Sequence, residues 1–253
     1  MPQVFHKSAN AVARISFIAF PVMFAITGVS LAVFYRSSYA TGVNEILEQP
    51  IPFSHLHHVG QLGIDCRYCH TTVETSSFAN IPPTKTCMNC HQQMWVGADL
   101  LGPVRESYAK NEPIHWKKVH NLPEYAYFNH SIHVSKGVGC YSCHGQVDQM
   151  PLMFQSKSLL MEWCLKCHRN PENNLRPKEE ITSMTWTPND LLDSSTKELN
   201  TNSELSKEFK EWCEKNKIVI KESVPQKDLG LFLKEKYHVR DAITLTSCSN
   251  CHR

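Results

Sequence analysis

The chain has 253 residues, 42% hydrophobic and 20% charged, a globular balance that excludes a disordered or low-complexity protein. Its 26 basic against 24 acidic side chains exclude the concentrated basic excess of a nucleic-acid binder. The 11 cysteines and 14 histidines stand well above ordinary usage and lie close together, so the chemistry is expected there.

Residues 1–14 contain Lys7 and Arg14 and read as a cytoplasmic tail. The next 21 residues, 15–35, carry no charge. As a helix they reach roughly 32 Å, which matches a hydrocarbon core of about 30 Å, so a single transmembrane anchor is expected. Only Arg36 follows closely, and Glu45 and Glu48 come next, so the positive-inside rule places the rest of the chain outside the cytoplasm. Pro21 removes a backbone donor within the span, which membrane helices tolerate when a neighbour covers the freed carbonyl. A cleaved signal peptide is the competing reading, with Ser38-Tyr39-Ala40 offering small residues at cleavage spacing. The apolar run is longer than a usual signal core, so a retained anchor and a linker over 36–52 are expected.

Beyond the linker, Cys-x-x-Cys-His occurs five times: Cys66/Cys69/His70, Cys87/Cys90/His91, Cys140/Cys143/His144, Cys164/Cys167/His168 and Cys248/Cys251/His252. Random placement of these residues would give on the order of 0.03 matches. Two thiols one turn apart add to the two vinyl groups of a haem, and the next residue sets its imidazole under the iron as proximal ligand. Structural zinc is the bland alternative. The 17 residues between Cys69 and Cys87, and the 20 between Cys143 and Cys164, fall within zinc-ribbon spacing. Zinc does not require a histidine after every pair, however, and the fifth pair has no partner pair. A disulfide framework fails on the same count, and a thioredoxin-like site needs one motif only. Five covalently bound haem c groups are therefore expected.

Phe53-Ser54-His55-Leu56-His57-His58 precedes the first two motifs, and Phe128-Asn129-His130-Ser131-Ile132-His133 precedes the third and fourth. Both read Phe-x-His-x-x-His, so residues 53–91 and 128–168 form an internal repeat of diahaem units, joined by a connecting segment over 92–127. Histidines at i and i+3 share one helical face about 5–6 Å apart, so such a pair can serve two haems. His55, His58, His130 and His133 are the expected distal ligands of the four repeat haems, giving low-spin, six-coordinate irons suited to electron transfer. His120 is the first candidate for the fifth, with His238, Met150 and Met161 as alternatives. His6, His57 and His115 read as surface or hydrogen-bonded residues.

Residues 169–253 form a polar C-terminal segment that ends in the fifth motif. A helix is expected over about 203–216, with Leu205, Phe209, Trp212 and Cys213 on one face, and a second from Pro225 toward Tyr237. Cys213, the odd cysteine, reads as a buried and inert thiol. The expected fold is mainly short α-helices and irregular loops around haems, with one N-terminal transmembrane helix, and the haems supply much of the core.

The stretches PFSHLHHVGQLGIDCRYCHTTVETSSFANIPPTKTCMNCH, WKKVHNLPEYAYFNHSIHVSKGVGCYSCHG and EWCLKCHRNPENNLRP, with the terminal TSCSNCHR, resemble the pentahaem cytochrome c subunit of bacterial alternative complex III. The diahaem units are similar to cytochrome c7 and class III cytochromes c. The resemblance covers nearly all the chain except about residues 180–240. It implies an electron-transfer subunit, not itself an enzyme, in a quinol:electron-acceptor oxidoreductase of the bacterial inner membrane, with its haem domain on the periplasmic side. The implied partners are polytopic quinol-binding subunits and an iron–sulfur subunit related to molybdopterin oxidoreductases. A monohaem cytochrome c, a soluble carrier or an oxidase would receive the electrons. Competing readings are a stand-alone membrane-anchored multihaem quinol dehydrogenase, and a multihaem reductase, which needs an open iron position and usually an altered motif.

Overall fold

An apolar run keeps its helical hydrogen bonds internal whatever surrounds it, and the first part of the chain is built on such a run. In the computed structural model α1 (Ala9–Arg36) extends for 28 residues, unbroken at Pro21, with none of its side chains buried. Its most apolar 18-residue window has a mean hydropathy of 2.2, enough to cross a membrane. The helix starts six residues before the uncharged stretch because helical bonding continues past Arg14 into polar sequence. A short turn, α2 (Ser38–Thr41), ends on Gly42 at φ 69°, a left-handed backbone that favours glycine. The structure describes residues 4–252 apart from 195, 197, 201 and 221, so the first three residues of the expected tail lie outside the described residues. Residues 1–43 and 44–253 form two separate units.

In the second unit the motifs sit on short helices: α3 (Cys66–Cys69), α4 (Thr84–His91), α7 (Cys140–His144), α8 (Met161–Arg169) and α12 (Cys248–Cys251). One helical turn brings the two sulfurs of each Cys-x-x-Cys to the same side, which is the reason for the spacing. Asp65 caps α3 by accepting the Arg67 N–H at 2.8 Å. The first Phe-x-His-x-x-His segment opens a wide π-helical turn, Leu56–Gln61, whereas the second opens an ordinary helix, α6 (His130–Ser135). The remaining helices are α5 (Gly102–Lys110), α9 (Glu204–Lys215), α10 (Gln226–Lys236) and α11 (Ala242–Leu245). Among the described residues there is no strand. Isolated bridges pair Ile46 with Phe154, Val138 with Leu175 and Leu192 with Leu199.

The main apolar core lies in the segment that reads as polar. Leu175, Phe209, Leu229 and Leu233 are at most 1% exposed, and Leu191, Cys213, Val224, Phe232 and Tyr237 complete the cluster. Composition hides this core because α9 and α10 place their apolar residues at helical spacing and turn Lys and Glu outward. Ser203 caps α9 through the Ser206 N–H at 3.1 Å, and Pro225 directly precedes α10, so both helices lie where the sequence leads one to expect them. Cys213 is buried on α9, and burial pushes its thiol up to about 11, as an inert cysteine requires. Gly230 brings α10 against the backbone of Glu172. A Cβ there would stand 1.8 Å from the Glu172 carbonyl oxygen. Between residues 53 and 170, where four motifs lie, the buried apolar side chains are Leu101, Val104, Val134, Val147 and Met150.

Candidate functional site

Two imidazoles bound to opposite faces of one metal, each nitrogen about 2 Å from it, have ring centres about 6 Å apart. Three pairs of sequence-predicted ligands stand at that separation. His58 lies 6.1 Å from His91, His130 lies 6.4 Å from His144 with the rings nearly parallel at 10°, and His133 lies 6.1 Å from His168. Burial first, and then the His70 imidazole, disfavour protonation of His55. In the second half the first histidine of Phe-x-His-x-x-His faces the first motif after it and the second faces the second, and in the first half the second histidine again faces the second motif.

Seven of these rings are oriented through Nδ1, while the buried Nδ1 of His55 has no hydrogen-bond partner. A carbonyl can only accept, so an Nδ1–H that donates to one leaves the lone pair on Nε2. Among the motif histidines, Nδ1 of His70 donates to the Asn80 carbonyl at 2.6 Å, His168 to Leu245 at 2.9 Å, His252 to Tyr125 at 3.0 Å and His91 to Met94 at 3.3 Å. On the facing side, Nδ1 of His58 donates to Ser54 at 2.8 Å, His130 to Ser77 at 2.9 Å and His133 to Asn129 at 2.7 Å. Burial, helped by facing imidazoles, lowers His55 to about 4 and His144 to about 3. Both rings are thus neutral near pH 7, the form that binds a metal.

Two phenylalanines hold these rings in place. Phe53 meets His55 edge-on at 4.9 Å and stacks on His58 at 4.4 Å and 19°. Phe128 repeats the arrangement, edge-on to His130 at 4.7 Å and stacked on His133 at 4.5 Å and 23°. The aromatic at the head of the repeated pattern is visible in the sequence, but its role as a clamp on both imidazoles is not. The carbonyls that orient the rings leave no side-chain signature at all.

The surroundings of the fifth motif are less complete. His252 is oriented by Tyr125, and the Tyr127 N–H donates to the Cys251 carbonyl at 2.8 Å, so segment 125–127 lies against the last motif. His120, five residues upstream, has a buried Nε2 without a hydrogen-bond partner, and burial first of all lowers it to about 4. Its ring lies 4.4 Å from His144, edge to face, too near for a metal between the two. His238 is exposed, Met161 is 65% exposed, and Met150 is packed at 3% exposure beside Gly145. His57 bonds Gln61 at 3.0 Å and stacks on Trp95, and His6 bonds Ser8 at 2.8 Å, as hydrogen-bonded histidines do.

Paired imidazoles at iron spacing beside Cys-x-x-Cys turns define a class: a c-type cytochrome with several haems. No family model matches the chain. Among curated proteins, it is 32% identical over 155 residues to the multihaem cytochrome c subunit of menaquinone reductase from Nitratidesulfovibrio vulgaris, an alignment that takes in 51% of this chain and 70% of that protein. The chain belongs to the family of that multihaem cytochrome c subunit, and its haem is covalently held haem c.

Proposed function

We propose that this chain is the electron-relay subunit of a membrane quinol oxidoreductase of the alternative complex III kind, holding five haem c groups on the periplasmic side of its anchor. When bound, haem iron supplies reversible one-electron chemistry without bond making or breaking. The chain's own residues supply the rest. Cys66, Cys69, Cys87, Cys90, Cys140, Cys143, Cys164, Cys167, Cys248 and Cys251 would tether the macrocycles. His70, His91, His144, His168 and His252 would bind from the proximal side, and His55, His58, His130 and His133 from the distal side. Each repeat is then a c7-like diahaem unit. The observation that carries this reading is the iron-sized separation of the three measured imidazole pairs. Rings already fixed by carbonyls and by Phe53 or Phe128 rearrange little between oxidation states, which suits a relay.

His120 is the proposed distal ligand of the fifth iron, on the strength of its free, buried Nε2. His120→Ala is expected to convert one of five low-spin signals to high-spin in paramagnetic resonance. Five unchanged signals would remove His120 from the ligand set.

The proposed partners are polytopic quinol-binding subunits, an iron–sulfur subunit and a periplasmic cytochrome or oxidase. Purification of the complex, identification of its subunits and a pyridine haemochrome count test the assignment, with five haems per copy of this chain expected. The name of the relative favours a second reading, in which electrons run toward menaquinone. Steady reduction of the haems by added menaquinol supports outflow from quinol. Haem oxidation on adding menaquinone supports the reverse.

A further inference from the structure

The two Phe-x-His-x-x-His segments pack on each other's halves in a reciprocal way. In the first half, the Leu56 N–H donates to the Met150 carbonyl at 3.0 Å, and a Cβ on Gly60 would stand 2.2 Å from the Asp148 carbonyl oxygen. Residues 148–150 follow the third motif. In the second half, the His130 N–H and Nδ1–H donate to the Ser77 carbonyl at 3.2 and 2.9 Å, and the Ser131 N–H donates to Ser76 at 3.1 Å. Residues 76–77 follow the first motif. Each histidine turn therefore rests on the loop behind the other half's first motif, which is the self-complementary pattern of a twofold contact.

One strut joins the first motifs of the two halves: Thr182 donates its hydroxyl to Asp65, which directly precedes Cys66, at 2.9 Å, and the neighbouring Ile181 carbonyl accepts the Cys140 N–H at 2.9 Å. Outward from this junction the contacts continue in order. Asn89, inside the second motif, donates to the hydroxyl of Tyr68, inside the first, at 3.1 Å. Phe128 grips both His130 and His133, which face the third and fourth motifs. The Leu245 carbonyl, just before the fifth motif, orients His168 of the fourth. The second motif's cysteine Cys87 packs on Ile51, Leu101 and Val104.

We infer that the attachment motifs stand in the spatial order second, first, third, fourth, with the fifth against the fourth and, through His120, beside the third, so that the second and fifth are the ends at which redox partners exchange electrons. The inference rests on the relay reading and adds the route. Every electron crossing the chain passes between the first and third motifs, one at a time, each centre gaining what its neighbour loses, with no proton or bond exchanged. Chain order would instead place the second motif beside the third.

The test uses the fully matured protein in its membrane complex. Placing an electron on one iron raises the cost of adding another nearby, and the effect falls with distance, so a ligand change at one centre shifts its neighbours' midpoints most. His58→Met marks the second centre and is expected to shift the first centre's midpoint and no other. A shift at the third centre equal to or larger than that at the first overturns the order. His55→Met marks the first centre and is expected to shift both the second and the third. A shift confined to the second overturns the order too, so this variant decides if His58→Met does not mature. The haem count on the same material separates the two ideas. Fewer than five haems strikes at the relay reading itself, whereas five haems with coupling between second and third centres strikes at the order alone.

Discussion

An imidazole aimed at a metal must lose its ring torsion as well as choose its nitrogen. The carbonyl bond to Nδ1 fixes the tautomer, and Phe53 or Phe128 blocks the remaining rotation. Phe128→Ala is expected to cost about 2 kcal/mol, less than a fully buried phenylalanine because Phe128 is 37% exposed. It should also alter the paramagnetic signals of the third and fourth centres while leaving the first and second unchanged. Asp65 carries the pH dependence of the junction. The Arg67 side chain bonded to it holds its carboxyl down to about 2, against partial burial that pushes it up, and Thr182 adds a further hydrogen bond. Its pKa is depressed on folding, so its contribution is complete above the ordinary carboxylate pKa of about 4 and is lost as pH falls through about 2. Near-ultraviolet circular dichroism between those values should show loosening that Asp65→Asn no longer shows.

The helical elements divide into those that present chemistry and those that brace it. α3, α7 and α12 are single turns with too few internal bonds to persist alone, so their neighbours must hold them. α10 is the brace for the fourth centre: Gly230 rests on the Glu172 backbone three residues after α8 ends, and Lys136, just after α6, donates to the Tyr237 carbonyl at 2.7 Å. Gly230→Ala is expected to cost about 3 kcal/mol, since the carbonyl it meets is backbone and cannot step aside. Thermal unfolding measures the loss, and the midpoint of the fourth centre should move with it.

Across the whole molecule, apolar burial and cofactor chemistry occupy different parts of the second unit. Residues 175–237 bury Phe209, Leu229 and Leu233 completely, while residues 53–170 bury few apolar side chains around four motifs. Bound macrocycles would supply the apolar surface missing there. Chain made without haem attachment is expected to be cut by protease throughout 53–170 while a fragment containing α9 and α10 resists. Equal resistance of both regions would show that the haems do not supply the core.

Local spacing by itself determined the haem chemistry, the long apolar N-terminal helix and the two C-terminal helices. Cys-x-x-Cys-His, the uncharged 15–35 and the apolar face of Phe209 and Cys213 are each complete within a few helical turns. Only the tertiary structure decided which histidine faces which motif, that Asn80, Leu245 and Tyr125 orient rings through their carbonyls, and that Thr182 and Ile181 tie the first and third motifs together. The physical reason is that backbone carbonyls are the same in every residue and the partners lie up to 127 residues apart, so no periodicity along the chain can encode them.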